Sequence, residues 1–323
     1  MKNLNAIKLI LLMAVATFIF HSCKKDDAPT VIKPTKTGSA VIGELFANNL
    51  PQANKVTFKA EDGGFVNGSK TEIFIFANTL VDKNGNDITG DVDFEITEYL
   101  SKGDMATSGV TTISGDKMIE SAGMFNLTAS QNGEEVFIRR GFSFGATVKQ
   151  DEFPVNQFQI FEGNAINDED QNNVNWVPAD SVPPLQPRQD STGGATFNFN
   201  YFQFGYCNID RFYNEFTGNE ISSFKIKMPA GYDGDNSWAL LLFQDYNSCA
   251  WTYWDKTDEA FKTRYVLGLG VKCKVLVVSV IDADKKEFEY EVIDVTLTDN
   301  TEVTVTNLQS ITEAQIAAIV KAL

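Results

Sequence analysis

Asp91-Val92-Asp93-Phe94-Glu95-Ile96-Thr97 alternates polar and apolar residues without a break. Successive side chains of a strand point to opposite faces, so the stretch predicts a strand with Val92, Phe94 and Ile96 turned inward. Around it, Thr71 to Phe76, Met124 to Ala129 and Phe142 to Val148 are shorter runs of the same kind. Asp62-Gly63-Gly64, Asn84-Gly85-Asn86 and Asn132-Gly133 separate the runs. Asn-Gly tolerates positive φ at both positions and is the strongest short hairpin signal. No segment from Gly38 to Val177 carries a helical period of useful length, so residues 38–177 are predicted as one β-sandwich domain.

Pro178, Pro183, Pro184 and Pro187 are four of the chain's nine prolines. With Ser, Asp, Gln and paired glycines they make residues 178–194 an exposed, semi-rigid linker. Strands return over 195–323. Trp238 to Phe243 and Val275 to Val280 are nearly all apolar, the pattern of strands covered on both faces. Ser310-Ile311-Thr312-Glu313 has the spacing of a capping box, and Ile316, Ile319, Val320 and Leu323 share one helical face. The expected fold is therefore all-β: two β-sandwich domains joined by a Pro-rich linker, with a short C-terminal helix closing the second.

Composition limits the chemistry. Lys plus Arg number 27 and Asp plus Glu 43, a net charge of −16, which repels nucleic acid. The only histidine is His21. If residues 1–22 are removed, no Ser-His-Asp triad, Cys-His pair or His-ligated zinc can form, whereas carboxylate-pair chemistry, as in glycosidases, is still allowed. Removal also takes Lys2 and Lys8, moving the charge from −16 to −18. Cys207, Cys249 and Cys273 lie in strand-like runs and read as small buried hydrophobes; a single bridge with one thiol left over is the alternative.

The start of the chain has the parts of an export signal. Lys2 and Lys8 precede the apolar run Leu9 to Phe20, which is too short to span a bilayer. Phe20-His21-Ser22-Cys23 then resembles a bacterial lipoprotein cleavage box. The resemblance implies cleavage before Cys23, acylation of Cys23, and a flexible tether over 23–37. Lys25-Asp26-Asp27 resembles the surface-export tag of Bacteroidetes-type lipoproteins, which implies an outer-membrane anchor facing the cell exterior. Phe20 and His21 depart from the usual leucine and small residue.

A second resemblance concerns residues 55–178. Phe58-Lys59-Ala60-Glu61-Asp62-Gly63-Gly64, Thr71 to Asp82, and Gly90-Asp91-Val92-Asp93-Phe94-Glu95-Ile96 are similar to the opening of the β-sandwich domain of ankyrins and netrin receptors. Phe76 stands where bacterial versions carry proline. Val174-Asn175-Trp176-Val177-Pro178 and Tyr206 to Tyr213 also resemble the bacterial versions. The resemblance implies interaction or mechanical roles and carries over no catalytic residue.

Asp82, Asn84 and Asn86, with Asp87, set oxygen-bearing side chains around one turn, as calcium prefers; a plain hairpin turn has the same residues. Asn167-Asp168-Glu169-Asp170 is a second acidic turn. Trp251, Tyr253 and Trp254 are a candidate ligand-binding set, because aromatic faces stack on sugar rings. Strand alternation puts Trp251 and Tyr253 on one face and Trp254 on the other, so part of the trio at most would form a platform. Asp210-Arg211 is a candidate ion pair. Asp180-Ser181-Val182 and Asp190-Ser191-Thr192 resemble O-glycosylation acceptors, at Ser181 and Ser191.

The resulting expectation is a lipid-anchored, surface-exposed, non-enzymatic protein of binding or envelope assembly, with a protein or glycan partner, no nucleic acid and no cofactor. One alternative is a glycan-binding lipoprotein serving an outer-membrane sugar transporter, which predicts the aromatic trio on one concave surface. Another is a carboxylate-dependent hydrolase, which predicts two facing carboxyl groups across a cleft.

Overall fold

The computed structural model of the chain describes residues 36–150, 158–165, 174–180, 185, 187–189, 191, 194–213, 220–299 and 302–322. It is an all-β fold with three short helices among these residues.

Asp91–Tyr99 is a strand in which Val92, Phe94 and Ile96 are fully buried. It lies second in a sheet whose order is Asn54–Lys59, Asp91–Tyr99, Lys117–Gln131, Gly205–Phe212, Gln159–Ala165 and Val174–Pro178. A second sheet runs Arg188–Gln189, Ala195–Tyr201, Phe144–Gln150, Thr71–Ile75 and Gly64–Asn67. The two close on one core, where Phe94 and Leu127 join Ile73, Phe144, Val148 and Phe197. Asn132 and Gly133 turn the hairpin after Lys117–Gln131 with φ of 55° and 81°, as Asn-Gly does.

The second sandwich has a central sheet ordered Cys249–Trp251, Ser237–Phe243, Lys272–Asp282, Glu287–Thr296 and Gln309–Ile311. A smaller sheet faces it, ordered Tyr253–Asp255, Ala260–Lys262, Lys225–Lys227 and Glu302–Thr304, with the last pair parallel. Ala239, Leu241, Val275 and Val277 point to the core shared with the smaller sheet. Leu240, Leu242, Leu276 and Val278 point the other way, into a separate apolar layer. These two strands are continuous apolar runs because both of their faces are covered.

That layer joins the two sandwiches. Into it pack α1 (Gly38–Ala47), α2 (Lys102–Ser108) and α3 (Glu313–Ala322). From the first sandwich come Tyr99, Ile119, Met124 and Trp176, on the outer face of its larger sheet. Trp176 is wholly buried, and its indole N–H donates to the Thr111 carbonyl at 2.6 Å.

Four expectations need correction. Residues 38–177 are not purely strands: α1 and α2 lie there. Thr37 caps α1 by accepting from the Ala40 amide, and Ser101 and Asp104 form a capping box on α2, which ends at Gly109 in the left-handed region. The chain does not divide at 178–194. Ala195–Tyr201 and Gly205–Phe212 belong to the first sandwich, and Ala179 and Leu185 are buried in its core. Helix α3 is capped two residues later than expected: Thr312 accepts from the Gln315 amide while the Gln315 side chain accepts from the Thr312 amide. Ser310 and Ile311 instead end a strand. Finally, α3 closes the joint and not the second sandwich alone; Ile316 and Val320 are buried there beside α2. Cys207, Cys249 and Cys273 are free and buried, the reading as small hydrophobes. Burial pushes the Cys249 and Cys273 thiols up to about 12, which leaves them unreactive.

Candidate functional site: an aromatic cleft beside helix α1

The chain passes from one sheet to the other at Thr252. Cys249–Trp251 is an edge strand of the central sheet, and Tyr253–Asp255 is an edge strand of the smaller one. The Thr252 amide and hydroxyl both donate to the Ala239 carbonyl, at 3.3 and 2.6 Å, and hold the crossing. Strand alternation therefore does not run through this residue. Trp251, Tyr253 and Trp254 all line one cleft of 680 Å³, within the range of small-molecule sites, about 300–1,000 Å³. Trp251 packs on the layer that holds Phe46, whereas Trp254 packs on the core that holds Phe261. Tyr253 and Trp254, consecutive in one strand, point to opposite faces. The trio is divided as expected, although each member reaches the cleft.

Helix α1 supplies the opposite wall. Its Phe46 stacks on Trp238, with centroids 5.6 Å apart and planes within 4°. The Trp238 indole N–H donates to Ser39 Oγ at 2.6 Å. Trp251 meets both rings edge to face, at 5.1 Å from Trp238 and 5.7 Å from Phe46. Gly43 lies over the Trp238 ring, where a Cβ would sit 3.4 Å from Cη2. The wall is thus tight at this point, and it is anchored by the Ser39 amide donating to the Asp235 carbonyl at 2.8 Å.

The outer part of the cleft is more polar. Arg264 lies over the Tyr253 ring, its guanidinium carbon 4.3 Å from the centroid, a cation–π contact. Trp254 packs against Phe261 at 5.1 Å. A Cβ on Gly234 would sit 2.7 Å from Trp254 Cβ, so only glycine fits beneath that ring. Trp251, Tyr253 and Trp254 are each half-buried, and Lys256 and Arg264 are exposed at the rim. Below Tyr253, Lys262 bonds Asp255 at 2.9 Å and Asp258 at 2.8 Å. Hydrogen bonding from Lys225 and Lys262 draws the Asp258 carboxyl down to about 2, so this brace is charged at neutral pH. Among the buried side-chain polar atoms of the described residues, Trp251 Nε1 in the cleft wall has no hydrogen-bond partner.

Sequence reasoning found the trio and missed Trp238, Phe46 and Arg264. Trp238 reads as one more residue of an apolar strand, and Phe46 lies in the helix that no strong period announced. The other candidates fare differently. The Asp82 carboxylate accepts from the amides of Asn84 and Asn86, at 2.8 and 2.9 Å, and from the Asn86 side chain at 2.9 Å. These bonds, the Asn86 side chain first, hold its carboxyl below the usual range and shape the loop as a turn. Among the described residues, no three His, Cys, Asp or Glu side chains gather as metal ligands. Asp210 and Arg211 do not pair: Arg211 binds Glu120 through Nε at 2.8 Å and Nη2 at 2.6 Å, whereas Asp210 is buried and accepts from the Asn208 side chain at 2.7 Å. Ser191 is exposed in a turn. Cys23, Ser181 and Asn167 to Asp170 lie outside the described residues. No protein-family model matches the chain, and no curated protein matches it in sequence.

Proposed function

We propose that the chain is a lipid-anchored surface protein that binds a saccharide in the aromatic cleft. The observation that carries this reading is the convergence of Trp238, Trp251, Tyr253 and Trp254 on one concave site. A sugar ring has an apolar C–H face that stacks on aromatic rings and a hydroxyl rim that needs donors and acceptors. The cleft offers both: rings on its floor, and Ser39, Asp235, Lys256 and Arg264 around them. The alternative hydrolase reading asks for two carboxylates about 5–9.5 Å apart. Asp235 is the one carboxylate in the lining, and no observation favours that reading.

Anchoring at Cys23 by acyl chains, with 23–37 as tether, would set the cleft away from the membrane. The charge of −16, or −18 without residues 1–22, suits a solvated external surface. A ligand-collecting protein of this kind would serve an outer-membrane sugar transporter, and the resemblance of its first sandwich to an interaction domain suits such a partner.

Tryptophan fluorescence tests the cleft directly, because three of the four tryptophans line it and Trp176 lies in the joint. Titration of the chain from Lys36 onward with neutral and acidic hexasaccharides should shift the emission. Trp254→Ala should weaken binding by about 10-fold or more, the loss of one stacked ring. An unchanged spectrum across the whole panel would remove the saccharide reading. For the anchor, Cys23→Ala should abolish fatty-acid labelling; continued labelling of that variant would remove it.

A further inference from the structure

The solvent face of the five-stranded sheet in the first sandwich carries an unusual row of side chains. Strand register sets Phe65 beside Phe74, Phe74 beside Gly145, and Gly145 beside Asn200. The adjacent row is Asn67, Glu72, Thr147 and Asn198. Phe65 and Phe76 flank Phe74 with centroids 4.8 and 4.9 Å away. Phe65 is 51% exposed and Phe76 42% exposed. Three contiguous phenylalanines on a solvent face are too many to be incidental, since exposed apolar patches on monomers tend to be functional.

The glycine gives the face its shape. With no side chain at Gly145, nothing fills the space between Phe74 and Asn200; an added Cβ would lie 3.9 Å from Phe74 Cβ and 3.8 Å from Asn200 Oδ1. The result is a trough of 330 Å³ with Phe74 on one side and Asn198 and Asn200 on the other. Thr147 stands at its end, donating to Asn198 Oδ1 at 2.9 Å. One wall is aromatic, the other is built from neutral amides and a hydroxyl.

We infer that this trough is a second saccharide site, distinct from the cleft, for a neutral oligosaccharide. An apolar protein segment laid here would cover Asn198 and Asn200 and leave amide donors and acceptors without partners, which is costly. A polyhydroxylated chain meets both walls: ring C–H faces lie on Phe74 with Phe65 and Phe76 alongside, and each hydroxyl both donates to and accepts from the amides. Glu72 is the one charged side chain of the lining, and it disfavours an anionic sugar. The inference does not depend on the cleft binding anything.

The two sites have separate signatures. No tryptophan lies on this face, so binding here is silent in tryptophan fluorescence and visible by calorimetry. The experiment uses the chain from Lys36 onward and neutral hexasaccharides of glucose, xylose and mannose. Calorimetric binding to at least one is expected in the Trp254→Ala background, where the cleft is impaired. Phe74→Ala and Asn200→Ala should each weaken it by about 10-fold or more, and Gly145→Val, which fills the trough, should abolish it. Circular dichroism and melting of Phe65→Ala and Asn200→Ala, both at exposed positions, guard against a folding effect. Absence of calorimetric binding to all three sugars overturns the inference. So does binding that these variants leave unchanged. Concentration-dependent dimerisation lost in Phe65→Ala would also overturn it, by assigning the face to a second copy of the chain.

Discussion

Asp210 shows what a single residue can contribute against stability. It is fully buried where the register between Gly205–Phe212 and Lys117–Gln131 shifts, and its Oδ1 has no hydrogen-bond partner. Burial pushes its carboxyl well above the ordinary value, and the nearby Glu120 charge adds to this, while hydrogen bonding from Ser121 opposes it. A raised folded value means that the group's stabilising contribution is fully present below the unfolded value of about 3.9 and is lost as pH rises toward the folded one. Relative to Asp210→Asn, the parent should therefore lose about 1.4 kcal/mol per pH unit as pH climbs above 4. Parallel melting-temperature profiles for the two proteins from pH 4 to 8 would show that the carboxyl is not held neutral. Trp251 makes the complementary case. Its buried Nε1–H has no hydrogen-bond partner, so Trp251→Phe removes an unsatisfied donor together with part of the ring. The variant should melt within about 2 kcal/mol of the parent and bind cleft ligands more weakly. A loss of more than about 4 kcal/mol would mean that the indole has a structural partner.

Among the elements, the three helices carry the joint. Gly103 of α2 lies against α3 so closely that an added methyl would run into the Val320 carbonyl. Gly103→Ala must push two helix backbones apart, and overpacking of this kind costs about 1–3 kcal/mol. The facing substitutions Ile316→Asp and Val320→Asp bury a carboxylate among apolar side chains and should cost several kcal/mol together. Chemical denaturation reads both effects. If Gly103→Ala and the double variant unfold at the parent's midpoint, α3 is not packed as described. Helix α1 has a second duty, since its Phe46 and Ser39 position Trp238 in the cleft. Gly43→Leu, placed over the Trp238 ring, should perturb ligand binding before it perturbs the fold.

At the scale of the molecule, the order of strands along the chain differs from their order in the sheets. Gly205–Phe212 pairs on one side with Lys117–Gln131 and on the other with Gln159–Ala165. Ala195–Tyr201 pairs along the full length of Phe144–Gln150. A fragment ending at 177 lacks both strands and exposes the core they cover. It should be unfolded by circular dichroism, whereas nicking within 178–194 should leave the two pieces associated through those sheets. Cooperative unfolding of an isolated 36–177 fragment would refute this strand arrangement. The joint extends the same logic, because the first sandwich, the three helices and the second sandwich share one apolar layer. Denaturation of the whole chain should accordingly show the two sandwiches melting together.

Local rules were legible without a structure. Alternation at Asp91 to Thr97 named the inward residues Val92, Phe94 and Ile96, because period-2 geometry is a property of any strand. Continuous apolar runs at Trp238 to Phe243 and Val275 to Val280 announced strands covered on both faces. Asn132-Gly133 announced its hairpin through backbone sterics, and the helical face at Ile316 and Val320 announced α3. Even the capping box of α2 was written as Ser101 to Asp104 with Gly109 beyond, although a helix of seven residues is too short to show a period. The sequence also grouped Trp251, Tyr253 and Trp254. What it could not hold was pairing at a distance. A proline-rich stretch resembles a linker locally, yet Ala179 and Leu185 are buried by residues far away in the chain. Only the tertiary structure decided that Gly205–Phe212 enters the first sandwich. Only it carried the chain from one sheet to the other at Thr252, so that Trp251 on one sheet and Tyr253 and Trp254 on the other line one cleft, and brought Phe46 and Trp238 to meet them. Hydrogen bonds between strands are satisfied by any edge of suitable register, so which strand completes which sheet depends on the sum of side-chain packing across the whole fold.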